Sequence, residues 1–529
     1  MAGKLVSPAD ELGSSVIASG TYGGSSTEKV DPVVPARPDR RDPGWDIRHG
    51  PSNYLALVGA QAASALLSFA AVWIATHYLG PSGYGGVVAI LAASQLMMQL
   101  ALNWTAVSLS RYGCEEFVET GLVARAFWSR LLILIVNLVI VVATFPLWGP
   151  LVSNWLHIPP QTQPLILVYL LVASGWLHVQ QTLQAAKMQR SQGLLLSVER
   201  GIVLSLLVAL ALTGRATLVS LVLAYICGSA GACLIGLWRL RSLIYPVVSL
   251  NRLFLKRMLT FSLPLIPSSL IGYFATNYLD AWFIVRYLSL AELGVYSVAY
   301  QLIGMSMQLP LLAGSLLMPL FITLQVGGRD DRVERFMREV LPLLTLVWSM
   351  CCALVAALGG YLLPVIFGPE FLATADLLWP LMAASALACP VLIGYGPLAN
   401  TVGATYVAAA GAGVAACVNV ILNILLIPRF GLSGCAWATA GAYGTSMVAI
   451  ALLMHRRAPL NRTWILQATL PALLAASYQA HADSLGAMVV ALLTTASLTF
   501  LYRRSISAGL VTLKNQRELR NSAHTATVS

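Results

Sequence analysis

Three runs of polar side chains recur at helical spacing inside stretches that are otherwise apolar. Gln95, Gln99 and Asn103 stand at i, i+4 and i+8; Ser297, Gln301, Gly304 and Gln308 at i, i+4, i+7 and i+11; Tyr273, Asn277 and Asp280 at i, i+4 and i+7. On a helix each run makes a single stripe. Such amides and hydroxyls bind by hydrogen bonding, and two readings are open: a wet face lining a cavity, or bonds that fasten one helix to the next. Asp280 is the one acidic residue read as lying well within an apolar stretch, so it is a candidate for proton or sodium coupling, or for an ion pair with a basic side chain. Arg286 is not placed for that pairing, because six residues turn a helix by about 600°, away from the Asp280 face. Arg111, Lys187, Arg190 and Arg200 lie near the ends of apolar stretches, where they suit a ligand bearing a diphosphate or serve as plain interfacial anchors.

Bond-making chemistry has no comparable signature. His77, His157, His178, His455 and His481 show no i, i+4 pairing with Glu or with one another, and the eight cysteines lack metal-ligand spacing, so no metal is expected and the cysteines read as small packing residues. The small-residue stretch from Ala408 to Gly413 matches no phosphate loop and suits close helix packing. The chain is read as a non-enzyme.

The elements that carry these residues follow from composition. Hydrophobic residues make up 58% of the chain and charged residues 10%, with a mean hydropathy of +0.76, against about 25% charged residues in soluble domains. The apolar residues fall in runs of about 18 to 25, the length at which a helix crosses a hydrocarbon core of about 30 Å. Fourteen spans are predicted, near 54–77, 84–109, 127–148, 163–185, 193–213, 217–238, 261–284, 293–322, 340–364, 371–395, 404–427, 431–454, 463–480 and 484–502. With the N-terminus inside, all of the 32 Lys and Arg except Arg215, Arg286 and Arg429 fall on the cytoplasmic side. That asymmetry predicts an even number of spans and two cytoplasmic termini, and it accounts for the net charge of +11 without nucleic acid.

The fold class expected is all-α and polytopic transmembrane, with two pseudo-symmetric six-helix bundles and two further helices. Shifting the chain by 209 residues brings His77-Tyr78-Leu79 onto Arg286-Tyr287-Leu288, Gly85 onto Gly294 and Gln99 onto Gln308, an offset equal to six helices. The expected organisation is a disordered cytoplasmic tail over 1–50, an N-terminal lobe over 51–240, a basic cytoplasmic linker over 241–260, a C-terminal lobe over 261–457, two appended helices over 458–502 and a second tail over 503–529. Two prolines, Pro264 and Pro267, are expected to bend the seventh span. Under the repeat, spans one, two, seven and eight line a shared central cavity.

Several segments resemble the Wzx-type polysaccharide flippases of the multidrug/oligosaccharidyl-lipid/polysaccharide (MOP) transporter superfamily. They are Phe261-Ser-Leu-Pro-Leu-Ile-Pro-Ser-Ser-Leu270, Leu279-Asp280, Glu292-Leu-Gly-Val-Tyr-Ser-Val-Ala-Tyr300, Asn419-Val-Ile-Leu-Asn423 and Leu426-Ile-Pro-Arg-Phe-Gly-Leu-Ser-Gly434, with Tyr78-Leu-Gly-Pro-Ser-Gly-Tyr-Gly85 and Arg111-Tyr112 in the first lobe. The resemblance spans roughly residues 52 to 460. The chain departs from the family at Gly403-Ala404, where Gly-Lys is frequent, and its first helix lacks the arginines that mark peptidoglycan-precursor flippases.

The resemblance implies a V-shaped cavity that opens alternately to each side of the bacterial inner membrane. Its implied cargo is an undecaprenyl-diphosphate-linked oligosaccharide, delivered for exopolysaccharide or O-antigen assembly alongside a polymerase or co-polymerase. On that reading Tyr273, Asn277, Gln301 and Gln308 contact sugar, Arg111 or Lys187 meets phosphate, and Gln99, Asn103 and Asp280 are further candidate substrate-binding residues, with proton or sodium coupling open at Asp280. The alternatives are a MATE-like exporter of drugs or cations, which needs acidic residues deep in the cavity, and a membrane-embedded polysaccharide-synthesis enzyme, which ordinarily places its chemistry in a large extramembrane loop.

Overall fold

The computed structural model describes residues 50–245, 251–266, 277–326, 328–455 and 462–507. The regular structure among them is helical throughout. Residues 1–49 and 508–529 of the sequence-predicted tails, Pro267 and Tyr273 lie outside the described residues, as does the side chain of Asn277.

Helix α1 (Gly50–Ala101) is 52 residues long and would measure about 78 Å as a straight rod, more than twice the thickness of a hydrocarbon core. Gly80 breaks it into two arms with φ 64° and ψ −178°, a backbone state open in practice only to glycine, and Pro81 starts the second arm. The loop read between the first two spans is therefore a single-residue corner. A 3-10 turn at Asn103–Thr105 and α2 (Ala106–Thr120) continue the second arm well past the expected boundary. Next come α3 (Ala124–Ala143), α4 (Phe145–Trp155), α5 (Gln163–Ala185), α6 (Gln189–Leu212) and α7 (Leu218–Ile244). Much of the longest expected outer loop, 149–162, is thus helical, in α4 and a 3-10 turn at Pro160–Thr162.

The second half opens with α8 (Arg252–Ser262), an amphipathic helix capped by the Asn251 side chain on the N–H groups of Leu253 and Phe254. It runs into a 3-10 turn at Leu263–Leu265, in which Pro264 removes a backbone donor. After α9 (Asn277–Tyr287) come α10 (Leu290–Val326), α11 (Asp330–Arg335), α12 (Leu341–Phe367), α13 (Leu372–Pro390) and α14 (Gly396–Thr401). Helix α15 (Thr405–Leu453) repeats the device of α1, with a corner at Gly431 at φ 59° and ψ −139°. Helices α16 (Arg462–Ala468), α17 (Leu470–Gln479) and α18 (Ser484–Leu501) complete the chain and pack on α12 and α13.

Ten helical stretches among the described residues are long and apolar enough to cross a membrane. Counting both arms of α1 and of α15 makes twelve, and α9 with α16 and α17 supplies the shorter pieces of a fourteen-segment plan. Leu212, Val365 and Leu147 stand at 82%, 83% and 73% exposure, as expected where lipid rather than water is the outer solvent. The protein is a multi-pass membrane protein.

The two halves meet where the second arm of α1 crosses the start of α10. A Cβ added to Gly85 would lie 1.8 Å from the Leu290 carbonyl oxygen, and one added to Gly294 would lie 2.0 Å from that of Pro81. Both the glycine pair and the carbonyl pair are separated by the same 209 residues as the sequence repeat. The crossing is a reciprocal backbone contact of a pseudo-two-fold. On this same turn-bearing face the Trp155 indole N–H donates to the Trp282 carbonyl at 3.2 Å, and that of Trp73 donates to the Ile366 carbonyl at 2.7 Å. Farther along, α10 packs into its own half, with Gly314 against the Leu392 carbonyl.

Candidate functional site

One buried polar centre lies in the second half. Asp280, on the first turn of α9, is 2% exposed. Its Oδ2 accepts the Tyr296 hydroxyl at 2.7 Å and the Thr439 hydroxyl at 3.2 Å, and its Oδ1 accepts the Asn423 amide at 2.9 Å. Asn423 also donates to Asn419 at 3.0 Å, one turn earlier on α15. The sequence readings allowed a basic partner for Asp280, but all of these partners are neutral; Arg286 instead stacks on the Trp155 ring at 5.5 Å. The buried Asn423 Oδ1 has no hydrogen-bond partner among the described residues. The carboxylate, the two hydroxyls and the Asn419 amide oxygen share one hydrogen-bonded cluster of hard oxygen groups, a set that suits a small cation or a proton. Groups of three or more His, Cys, Asp or Glu able to hold a metal are absent among the described residues.

A second buried centre lies in the first half, and sequence reasoning missed it. The charge count placed Arg130 on the cytoplasmic side without singling it out, yet it sits on the second turn of α3 at 0% exposure. Its Nε donates to the Thr105 hydroxyl at 2.8 Å, Nη1 lies 3.4 Å from His178 Nδ1, and Nη2 donates to Gln181 Oε1. Gln181 in turn donates to Asn103 at 3.4 Å, and Asn103 donates to Gln99. The Gln95, Gln99 and Asn103 stripe is only partly buried, so it forms a polar surface continuous with a guanidinium behind it. Thr105 belongs to the 3-10 turn that interrupts the second arm, which ties Arg130 to the shape of that helix.

Glu199 was missed as well. It is buried on α6 and accepts the Trp176 indole at 3.0 Å and the Ser229 hydroxyl at 2.8 Å.

The remaining predicted residues divide by position. Gln301 is partly buried and Gln308 exposed on α10, two turns apart on one stripe, while Ser297 is buried and bonded back to the Leu293 carbonyl. Arg111 lies at the basic end, its guanidinium 5.1 Å from the Phe261 ring and 5.6 Å from that of Tyr112. Glu115 bridges Arg111 at 3.4 Å and Arg257 of α8 at 3.7 Å, linking the halves at this end. Beside them Tyr112, Leu253, Lys256, Arg257, Thr260 and Phe261 line an open cavity of about 450 Å³. Lys187 and Arg190 are exposed at the turn between α5 and α6, apart from the Gln99 and Asn103 stripe. All eight cysteines are free; Cys227, Cys351 and Cys417 are exposed rather than packed inside.

A family model described as polysaccharide biosynthesis protein matches residues 79–376. Among solved structures, the lipid II flippase MurJ in an inward closed conformation is similar with a TM-score of 0.62 at 15% identity, covering 85% of this chain and 100% of that one. The MATE multidrug transporter DinF-BH gives 0.53 at 16% identity, over 79% and 96%. An inward-facing multidrug resistance MATE family transporter of the MOP superfamily gives 0.51 at 13% identity, over 76% and 98%. No curated protein matches the sequence. At such identities the common property is the fold, that of the MOP transporters.

Proposed function

The chain belongs to the polysaccharide biosynthesis protein family, and from that premise we propose that it is a flippase moving undecaprenyl-diphosphate-linked oligosaccharide units across the bacterial inner membrane. Family and fold support a membrane transporter over an enzyme. The observation that carries the finer reading is the Gln95, Gln99, Asn103 and Gln181 surface, polar and only partly buried within membrane-spanning helices. Hydrocarbon offers such amides no partners, whereas a hydrated cleft admitting sugar hydroxyls does.

In this reading the basic end is cytoplasmic, with both termini, and the end at Gly80 and Gly431 is periplasmic. Cargo enters with its diphosphate near Arg111 and Lys187 while the hydrocarbon tail stays in lipid. Gln99, Asn103, Tyr273, Asn277, Gln301 and Gln308 contact sugar. Separation of the halves at the Gly85 and Gly294 crossing then exposes the head group to the far leaflet, where a polymerase consumes it. Asp280, with Asn423, Thr439 and Tyr296, binds the sodium ion or proton whose gradient drives the cycle.

Proteoliposomes loaded with a fluorescent lipid-linked oligosaccharide test this. Cargo is expected to become accessible to an impermeant glycosidase on the opposite side at a rate at least tenfold above protein-free vesicles. Equal rates contradict the reading, and efflux of a cationic dye without cargo movement favours the multidrug alternative.

A further inference from the structure

We propose that Arg130 is an anion subsite of the first half, a guanidinium that receives an anionic oxygen pair of the cargo once the Gln181 and Asn103 screen in front of it moves aside. The proposal rests on the flippase reading and gives its binding surface a specific residue.

The case begins with charge. A guanidinium with no solvent exposure needs a counter-charge or a full set of acceptors, and Arg130 has neutral acceptors only: Thr105, Gln181 and a long contact to His178. The buried acids of the same half are engaged elsewhere. Glu116 accepts the backbone N–H groups of Arg125 and Ala126, and Glu199 accepts Trp176 and Ser229. No ion pair to Arg130 exists among the described residues. Five N–H donors in a planar fork face three neutral partners, which leaves capacity for a bidentate oxyanion. His178 Nε2, in the same cluster, is buried with no hydrogen-bond partner.

Access comes next. Gln181 and Asn103 are partly exposed and hydrogen-bonded to each other, so rotating Gln181 uncovers Nη2 toward the polar stripe. Arg130 stands six residues from the start of α3, about 9 Å along the helix from its basic end. An interfacial anchor would be exposed there, as Lys187 and Arg190 are.

Two parts of the cargo carry the required chemistry, the diphosphate and the carboxylate of an acidic sugar. Full-length protein in phosphatidylcholine nanodiscs is titrated by calorimetry with geranylgeranyl diphosphate, with glucuronate and with geranylgeraniol as the uncharged control. Binding of one anion is expected to weaken at least tenfold in Arg130→Gln and severalfold in Arg130→Lys, which keeps the charge and loses the fork, with geranylgeraniol unaffected. Dependence seen with the diphosphate identifies the lipid carrier as the source, and dependence seen with glucuronate identifies the sugar. Equal affinity of wild type and Arg130→Gln for both anions overturns the site. If Arg130→Gln does not fold, Arg130→Lys decides: weakened anion binding supports the site and unchanged binding overturns it. A wild type that moves no lipid-linked cargo but shows Arg130-dependent binding refutes the flippase reading alone; cargo movement with Arg130-independent binding refutes the subsite alone.

Discussion

Asp280 and Arg130 are opposite charges buried in opposite halves, each surrounded by neutral hydrogen-bond partners. For Asp280 the consequence is measurable. A cation that binds the folded state adds about 2.7 kcal/mol of stability at a hundred times its dissociation constant. Sodium is therefore expected to raise the melting temperature of the wild type above that in choline, and Asp280→Asn is expected to fold but lose the increment. A sodium shift retained in Asp280→Asn removes the ion from this site. Asn423→Ala deletes one of the donors to the carboxylate and leaves it less satisfied, at a cost of about 1–3 kcal/mol, to be read as a lower melting temperature in both salts. Asp280 was legible because one acid among apolar residues stands out. Its partners come from α10 and α15, 16 to 159 residues away, and no local pattern names them, although Asn419 and Asn423 at i, i+4 were visible in the family-like segment. Arg130 was missed because a basic residue three positions into a predicted span looks the same in sequence whether it reaches the interface or is sealed inside.

At the scale of elements, the apolar runs placed the helices, and the structure moved their ends. The corner at Gly80 needs neither loop nor polar residue, so hydropathy could not separate a turn from a kink there. Its φ and ψ predict that Gly80→Ala costs about 1–3 kcal/mol, visible as reduced thermal stability in detergent, while Gly59→Ala on the same helix, with open space around it and ordinary helical backbone, should be neutral or stabilising. Equal melting temperatures for the two variants contradict the corner. The 3-10 break at Asn103–Thr105 was equally hidden: its Thr105 hydroxyl donates to the Leu102 carbonyl at 2.7 Å and accepts from Arg130 of another helix at 2.8 Å, a pairing no local pattern names.

At the scale of the molecule, the 209-residue shift was the informative signal, because it paired Gly85 with Gly294 before any geometry did. The structure gives the pairing a physical meaning: each glycine admits the other half's backbone where a Cβ would lie 1.8 or 2.0 Å from a carbonyl oxygen, far inside van der Waals contact. What sequence could not convey is which face of the bundle is closed, since that depends on contacts between halves such as Trp155 on Trp282 and Trp73 on Ile366. On the flippase reading, cargo leaves at this face only if these contacts separate. The direct test is transport with that face locked: in a background freed of native cysteines, cysteines replacing Trp155 and Trp282 are joined by a reducible thiol cross-linker and translocation of lipid-linked oligosaccharide is followed in proteoliposomes. Transport is expected to fall at least tenfold when linked and to return on reduction; transport at the unlinked rate in fully linked protein would contradict a mechanism that opens the halves at the glycine crossing.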